Sequence, residues 1–193
     1  MDRIPFDPSG AVTFDLSTGQ VNLGQGPARV LVPPQELTAL CVAAGQDATR
    51  RFGRAMGAQI AERMKQRLGT APDALAQVTI ESFVEHLSGE FGLMGLGVVG
   101  IERWGRALVC VVDHPGLSPA FTASVLEGAL DATSGRKVAC AQLMTAGTRT
   151  RMVVTSEPMA LRVAAWLAQG ASWGEVLVKL HAGGDSPQPR GEA

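Results

Sequence analysis

Tyrosine is absent from this chain of 193 residues, and its aromatic set is six phenylalanines and three tryptophans. Histidine and cysteine occur three times each. So small a stock of imidazoles, thiols and stacking rings leaves few parts for catalysis or for gripping single-stranded nucleic acid. Charge of one sign is missing too. Seventeen Lys+Arg against eighteen Asp+Glu leave a formal net charge of −1, which gives no electrostatic case for nucleic acid or anionic lipid. Cys41, Cys110 and Cys140 stand singly in apolar runs, far from CxxC spacing. That placement points to buried thiols in a reducing compartment, not to a disulfide scaffold or a zinc site. Long apolar runs are lacking as well. The best, Phe91 to Ile101, has eleven residues, four of them glycine, and is too short to span a bilayer. The opening Met1-Asp-Arg-Ile-Pro-Phe-Asp-Pro-Ser-Gly10 has no apolar core segment and reads as no secretory signal. A cytoplasmic protein is the expectation.

Core-forming material is plentiful, with 46% hydrophobic and 18% charged residues, in a length that suits one domain. Residues 1–33 read as a tail followed by short strands: Ala11–Leu16 and Val21–Leu23 alternate apolar and polar around Ser17-Thr-Gly-Gln20, and Ala28–Val32 offers a third. Pro33-Pro34 then opens a helical stretch. From Gln35 to Leu68 apolar residues recur at three- and four-residue steps, predicting one amphipathic helix or two in line with a kink near Gly45, ended by Gly69. After the loop Thr70–Asp73, a helix is expected from about Thr79 through Phe91. Strands follow on either side of Gly105, then a helix opened by Ser118-Pro119 and closed by Gly135. Two more strands, Lys137–Met144 and Thr150–Thr155, precede helices starting at Ser156 and Ser172. Residues 183–193 have the composition of a disordered tail. The core of residues 34–182 therefore reads α-α-β-β-α-β-β-α-α. This is an α+β fold, with a four-stranded antiparallel sheet and a layer of helices on one face, preceded by a small β appendage.

The candidate chemistry is sparse. Asp113-His114 sets a carboxylate beside an imidazole, but the flanking Pro115-Gly116 makes a strand-end turn the simpler reading, and no Gly-x-Ser-x-Gly elbow accompanies it. His86 and Glu90, one helical turn apart, are a thin basis for a metal, and no metal or cofactor is expected. Gly95-Leu-Gly97-Val-Val-Gly100 spells GxGxxG with the helix before it and the strand after, the reverse of the dinucleotide fingerprint. Gly53-Arg-Ala-Met-Gly57 gives the long helix a smooth groove, for a helix crossing inside the protomer or for a dimer seam. Arg50, Arg51, Arg54, Arg63, Lys65 and Arg67 read as a solvated basic face. His181 suits the negative end of the last helix.

Phe52-Gly-Arg-Ala-Met-Gly57, Ser82-Phe-Val-Glu-His-Leu-Ser88, Gly95-Leu-Gly97, Phe121-Thr-Ala-Ser-Val-Leu-Glu-Gly128 and Ser134-Gly-Arg-Lys-Val138 occur in this order. Over roughly residues 34–156 the chain resembles the 4-vinyl-reductase-type, or bacterial hydrocarbon-binding, domain, whose α+β fold is shared with small components of the transport protein particle. The resemblance implies a non-enzymatic module, a dimer formed through helices, and in some members a buried pocket for a small hydrophobic ligand. Many members carry two cysteines around a glycine near the last hairpin. Here Met144-Thr-Ala-Gly147-Thr-Arg-Thr-Arg151 has neither, so no thiol or metal role follows from the resemblance. Val125-Leu-Glu-Gly128 with the Phe52–Gly57 segment is also similar to the small ring-forming accessory protein of bacterial cellulose synthase, which acts in assembly.

The expected function is a non-enzymatic homodimeric interaction or assembly module. The alternatives are a sensor of a small apolar ligand, an accessory component of a polysaccharide-synthesis or other assembly, and an enzyme using Asp113 and His114. Its partners would be a second copy, an unidentified protein and a small apolar compound. Pocket residues are expected at Met56, Ile60, Phe83, Phe91, Met94, Val125 and Leu126, and dimer contacts at Phe52, Gly53, Met56, Gly57 and Ile60.

Overall fold

A computed structural model describes residues 5–24, 26–68 and 78–182. The expected C-cap at Gly69, the loop 70–73 and the tail 183–193 lie outside the described residues. Three short strands come first, β1 (Val12–Asp15), β2 (Gln20–Leu23) and β3 (Ala28–Arg29), in an antiparallel sheet of that order. Then follow helices α1 (Pro34–Ala44), α2 (Gln46–Leu68) and α3 (Ile80–Leu93) and the hairpin β4 (Val98–Trp104) and β5 (Ala107–Asp113). Helix α4 (Pro119–Ser134), the hairpin β6 (Ala139–Ala146) and β7 (Arg149–Thr155), and helices α5 (Glu157–Ala168) and α6 (Trp173–Ala182) complete the described residues. The larger sheet is antiparallel with order β4-β5-β7-β6. The α+β class and the four-stranded sheet are as the sequence pattern indicates.

Local chemistry sets the boundaries. Thr79 caps α3 by accepting from the Ser82 N–H at 3.2 Å, and Ser118 caps α4 with Pro119 in its first turn. Ser172 and Glu175 form a reciprocal capping box on α6. Gly105 (φ 58°) and Gly147 (φ 58°) begin the two-residue hairpin turns, where a left-handed backbone is required. The last hairpin is longer than its sequence suggests. β6 continues through Ala146, because Gly147 and Thr148 alone make the turn.

The single long helix, the first of the two readings of 35–68, does not form. Gly45 adopts φ 85° and ψ 168°, which ends α1 and starts α2. The layering also differs from expectation. Side chains alternate across the sheet, so Cys110, Val112, Cys140 and Met152 pack under α2, α3 and α4, whereas Val109, Ala141, Leu143 and Val153 pack under α5 and α6. Helices therefore cover both faces. An apolar hairpin such as Ala107-Leu-Val-Cys-Val-Val112 signals burial on two sides, since a half-solvated strand would alternate.

Candidate functional site

Helix α2 crosses α4 at close range because three glycines remove the side chains between them. A Cβ on Gly53 would lie 2.6 Å from the Ser124 Cβ; one on Gly57 would overlap the Val125 carbonyl, and one on Gly128 the Arg54 carbonyl. The GxxxG groove is thus filled by α4 of the same chain, and its reading as a crossing inside the protomer is the one realised. Gly53, Gly57 and Ile60 are buried there and present no surface to a second copy, which corrects their assignment as dimer contacts. Met56 is partly buried against the core. Of that set Phe52 alone is exposed, and its ring leans on Phe121 with centroids 5.7 Å apart.

The expected pocket residues do meet, but as core. Ile60, Phe91, Val125 and Leu126 have no exposed surface, and Met56, Phe83 and Met94 pack around them. None of the seven borders the main cleft of the described residues. That cleft, about 620 Å³, lies between the C-terminal half of α1 and the N-terminal ends of α2 and α4, where α1 turns away from α2 at Gly45. Thr38, Cys41 and Val42 of α1 form one wall, Ala120, Ala123 and Ser124 of α4 the other, and Cys140 of β6 closes the floor. Its volume falls within the usual range for small-molecule sites. The signal that marks it in the sequence is modest: small residues, Ala120, Ala123 and Ser124, in the first half of α4.

The hydroxyls of Thr38, Thr49 and Ser124 and the Glu127 carboxylate around this cleft are engaged within the chain. The Thr49 hydroxyl donates toward the Cys41 and Gly45 carbonyls (2.8 and 2.9 Å), the Ser124 hydroxyl to the Ala120 carbonyl (2.9 Å), and the Thr38 hydroxyl to the Pro34 carbonyl (2.7 Å). Glu127 accepts from the Cys140 backbone N–H (3.0 Å) with one oxygen and from Arg54 (2.5 Å) and Arg50 (3.3 Å) with the other. Arg54 also pairs with Asp131. Burial pushes the Cys110 thiol up to about 12, and burial first, then neighbouring Cys110, Glu127 and Asp131, raises Cys140 well above the ordinary thiol range. Both are inert as nucleophiles. What the cleft offers is an apolar wall whose charges are already balanced.

The other candidates resolve into structural roles. Asp113 is held by Arg149 in a bidentate pair (2.7 and 2.9 Å), and that hydrogen bonding keeps its carboxyl below the usual range. His114 sits in a left-handed turn (φ 51°) with its N–H on the Thr148 carbonyl, so the carboxylate aligns the arginine and not the imidazole. Gly97 and Gly116 explain the glycine-rich segment. A Cβ on Gly97 would overlap the Asp113 carbonyl and one on Gly116 the Gly95 carbonyl, so two loops press together there. Glu90 is fully buried and paired with Arg63 (2.5 Å) and Arg67 (3.1 Å), and His86 is buried beside it under the Phe6 ring, its pKa lowered chiefly by burial. Arg63, expected on a solvated face, is therefore an interior ion-pair partner; no helical periodicity of the apolar residues could have shown that. Among the described residues no group of three or more His, Cys, Asp or Glu side chains is placed to hold a metal ion. His181 packs on Gly105 of the first hairpin.

No family model matches the chain, and no curated protein matches it. Among solved structures it is similar to the phenol-responsive sensory domain of the transcription activator PoxR, determined with phenol. The match covers 83% of this chain and 92% of that one, with 14% identity and a TM-score of 0.61. At that identity the likeness is one of fold. No helix of the described residues is long and apolar enough to cross a membrane.

Proposed function

We propose that this chain is a non-catalytic sensing module that takes a small, uncharged, apolar ligand in the cleft between α1 and α4. The observation that carries the reading is the combination of an apolar cleft of about 620 Å³ with polar rim groups that already satisfy each other. A charged ligand entering it would lose hydration with no unbalanced partner to receive it, whereas an apolar one loses nothing and gains about 25 cal/mol per Å² buried. The reading is supported by the fold shared with a domain described as phenol-responsive, and by the hydrocarbon-binding resemblance of residues 34–156. Catalysis is not part of it, since Asp113 is paired with Arg149, His114 sits in a turn, Glu90 is in a buried ion pair and His86 is buried under Phe6. Native mass spectrometry of the purified chain tests it: a co-purifying neutral compound, or one-to-one uptake of added phenol, is the expected result.

A second reading, assembly with another copy, rests on a different observation. Val30 and Leu31, ahead of α1, and Leu40, in its C-terminal half, are large apolar residues left 85%, 72% and 63% exposed. Sedimentation equilibrium checks it, with Leu40→Glu expected to lower the mass if this surface joins two chains.

A further inference from the structure

Helix α1 is built unlike its neighbours. Its eleven residues, Pro34-Gln-Glu-Leu-Thr-Ala-Leu-Cys-Val-Ala-Ala44, are mostly apolar, yet none is buried. A helix of that length is marginal in water by itself and depends on packing to persist. Packing of α1 is thin: Cys41, half-buried, is its one residue set against the core among the described residues. It leans on the start of α2, and across the cleft it faces the small side chains Ala120, Ala123 and Ser124. Its connection to α2 is one residue, Gly45, at φ 85° with nothing within 4 Å of the place a Cβ would take. A glycine there gives the joint backbone conformations closed to other residues. Beside the backbone bonds of the Gly45 and Thr49 N–H groups, one side-chain hydrogen-bond donor bridges it among the described residues: the Thr49 hydroxyl, on α2, lies 2.8 Å from the last-turn carbonyl of Cys41 and 2.9 Å from that of Gly45.

We infer that α1 is a lid hinged at Gly45 and latched by Thr49, which closes on α4 when an apolar ligand occupies the cleft. Closure brings Thr38, Cys41 and Val42 down onto the ligand, so an apolar helix face now bathed in water becomes covered. The inference rests on the cleft reading and adds the moving part. Differential burial between open and closed states is the free-energy source a ligand needs to shift the two populations. The small residues of α4 serve the same end, since they leave room for ligand and lid together.

Amide hydrogen exchange of the full chain, read by mass spectrometry over residues 35–44, 52–62 and 121–130, tests it with phenol as the probe. Without probe, α1 amides are expected to exchange at least about a hundredfold faster than those of α2 and α4, by a local opening. Thr49→Val, nearly isosteric, is expected to speed α1 about tenfold further while leaving the other two segments unchanged. Exchange of α1 in step with α2 and α4, or indifference to Thr49→Val, overturns the lid. With probe at saturation, α1 is expected to slow about tenfold. Saturable binding with unchanged α1 exchange overturns the lid and leaves the cleft reading standing; absence of saturable binding removes the cleft reading and the lid with it.

Discussion

Gly57 of α2 lies so close to the Val125 carbonyl of α4 that a methyl group in place of its hydrogen would overlap the oxygen. This contact fixes the separation of α2 from α4, the helix that forms one wall of the cleft, and it sits among backbone atoms that have no rotamer with which to yield.

Gly57→Ala is accordingly expected to destabilise the chain by about 1–3 kcal/mol, despite alanine's better helix propensity. Gly92→Ala, at an exposed α3 position with nothing within 4 Å, supplies the comparison and is expected to be neutral or to stabilise by about 0.5 kcal/mol. Urea unfolding of both variants measures the difference.

The carboxylate of Glu127 joins α4 to α2 through Arg54 and to β6 through the Cys140 N–H. Removing it leaves the Cys140 N–H without its acceptor and takes one of two carboxylates from Arg54 and from Arg50, which keep Asp131 and Glu157. Glu127→Ala is expected to cost about 2–4 kcal/mol and Glu127→Gln, which preserves one acceptor, about half of that. Denaturant midpoints at constant slope report it.

The two buried thiols give the stability a pH dependence of known sign. Their folded pKa values are raised, Cys110 to about 12, so the neutral form belongs to the fold. Their contribution is whole below the pKa of an unfolded thiol and is lost as pH rises toward the folded value. Stability is therefore expected to fall between about pH 9 and 12, by about 1.4 kcal/mol per buried thiol one unit above the unfolded pKa. In Cys110→Ala the alkaline slope should lessen. Thiol titration with a disulfide reagent at neutral pH should modify Cys41 first and reach Cys110 and Cys140 only on unfolding.

Much of the fold was legible because it rests on local rules. Ser118-Pro119, Gly105, Gly135 and the periodic run through Leu68 specify caps, turns and helix faces without reference to the rest of the chain. The site was less so. Met56, Phe91 and Leu126 are the large apolar residues one would assign to a pocket, and their size is what fills the space they share. A cleft arises instead where side chains are small and a helix departs from its neighbour, at Ala120, Ser124 and Gly45. Nor did the sequence show that Arg63 points inward, since its partner Glu90 is 27 residues away and the pairing depends on how α3 docks on α2.

Titration calorimetry of phenol into the full chain and into Val42→Trp bears most directly on the cleft. Val42 borders the cleft yet is 77% exposed, so a larger ring there occupies the space without disturbing the core. Val178→Trp, exposed on α6 away from the cleft, is the control. The account predicts saturable one-to-one binding to the parent and the control, weakened at least about tenfold in Val42→Trp. Equal binding by all three chains, or no saturable binding by any, would contradict it.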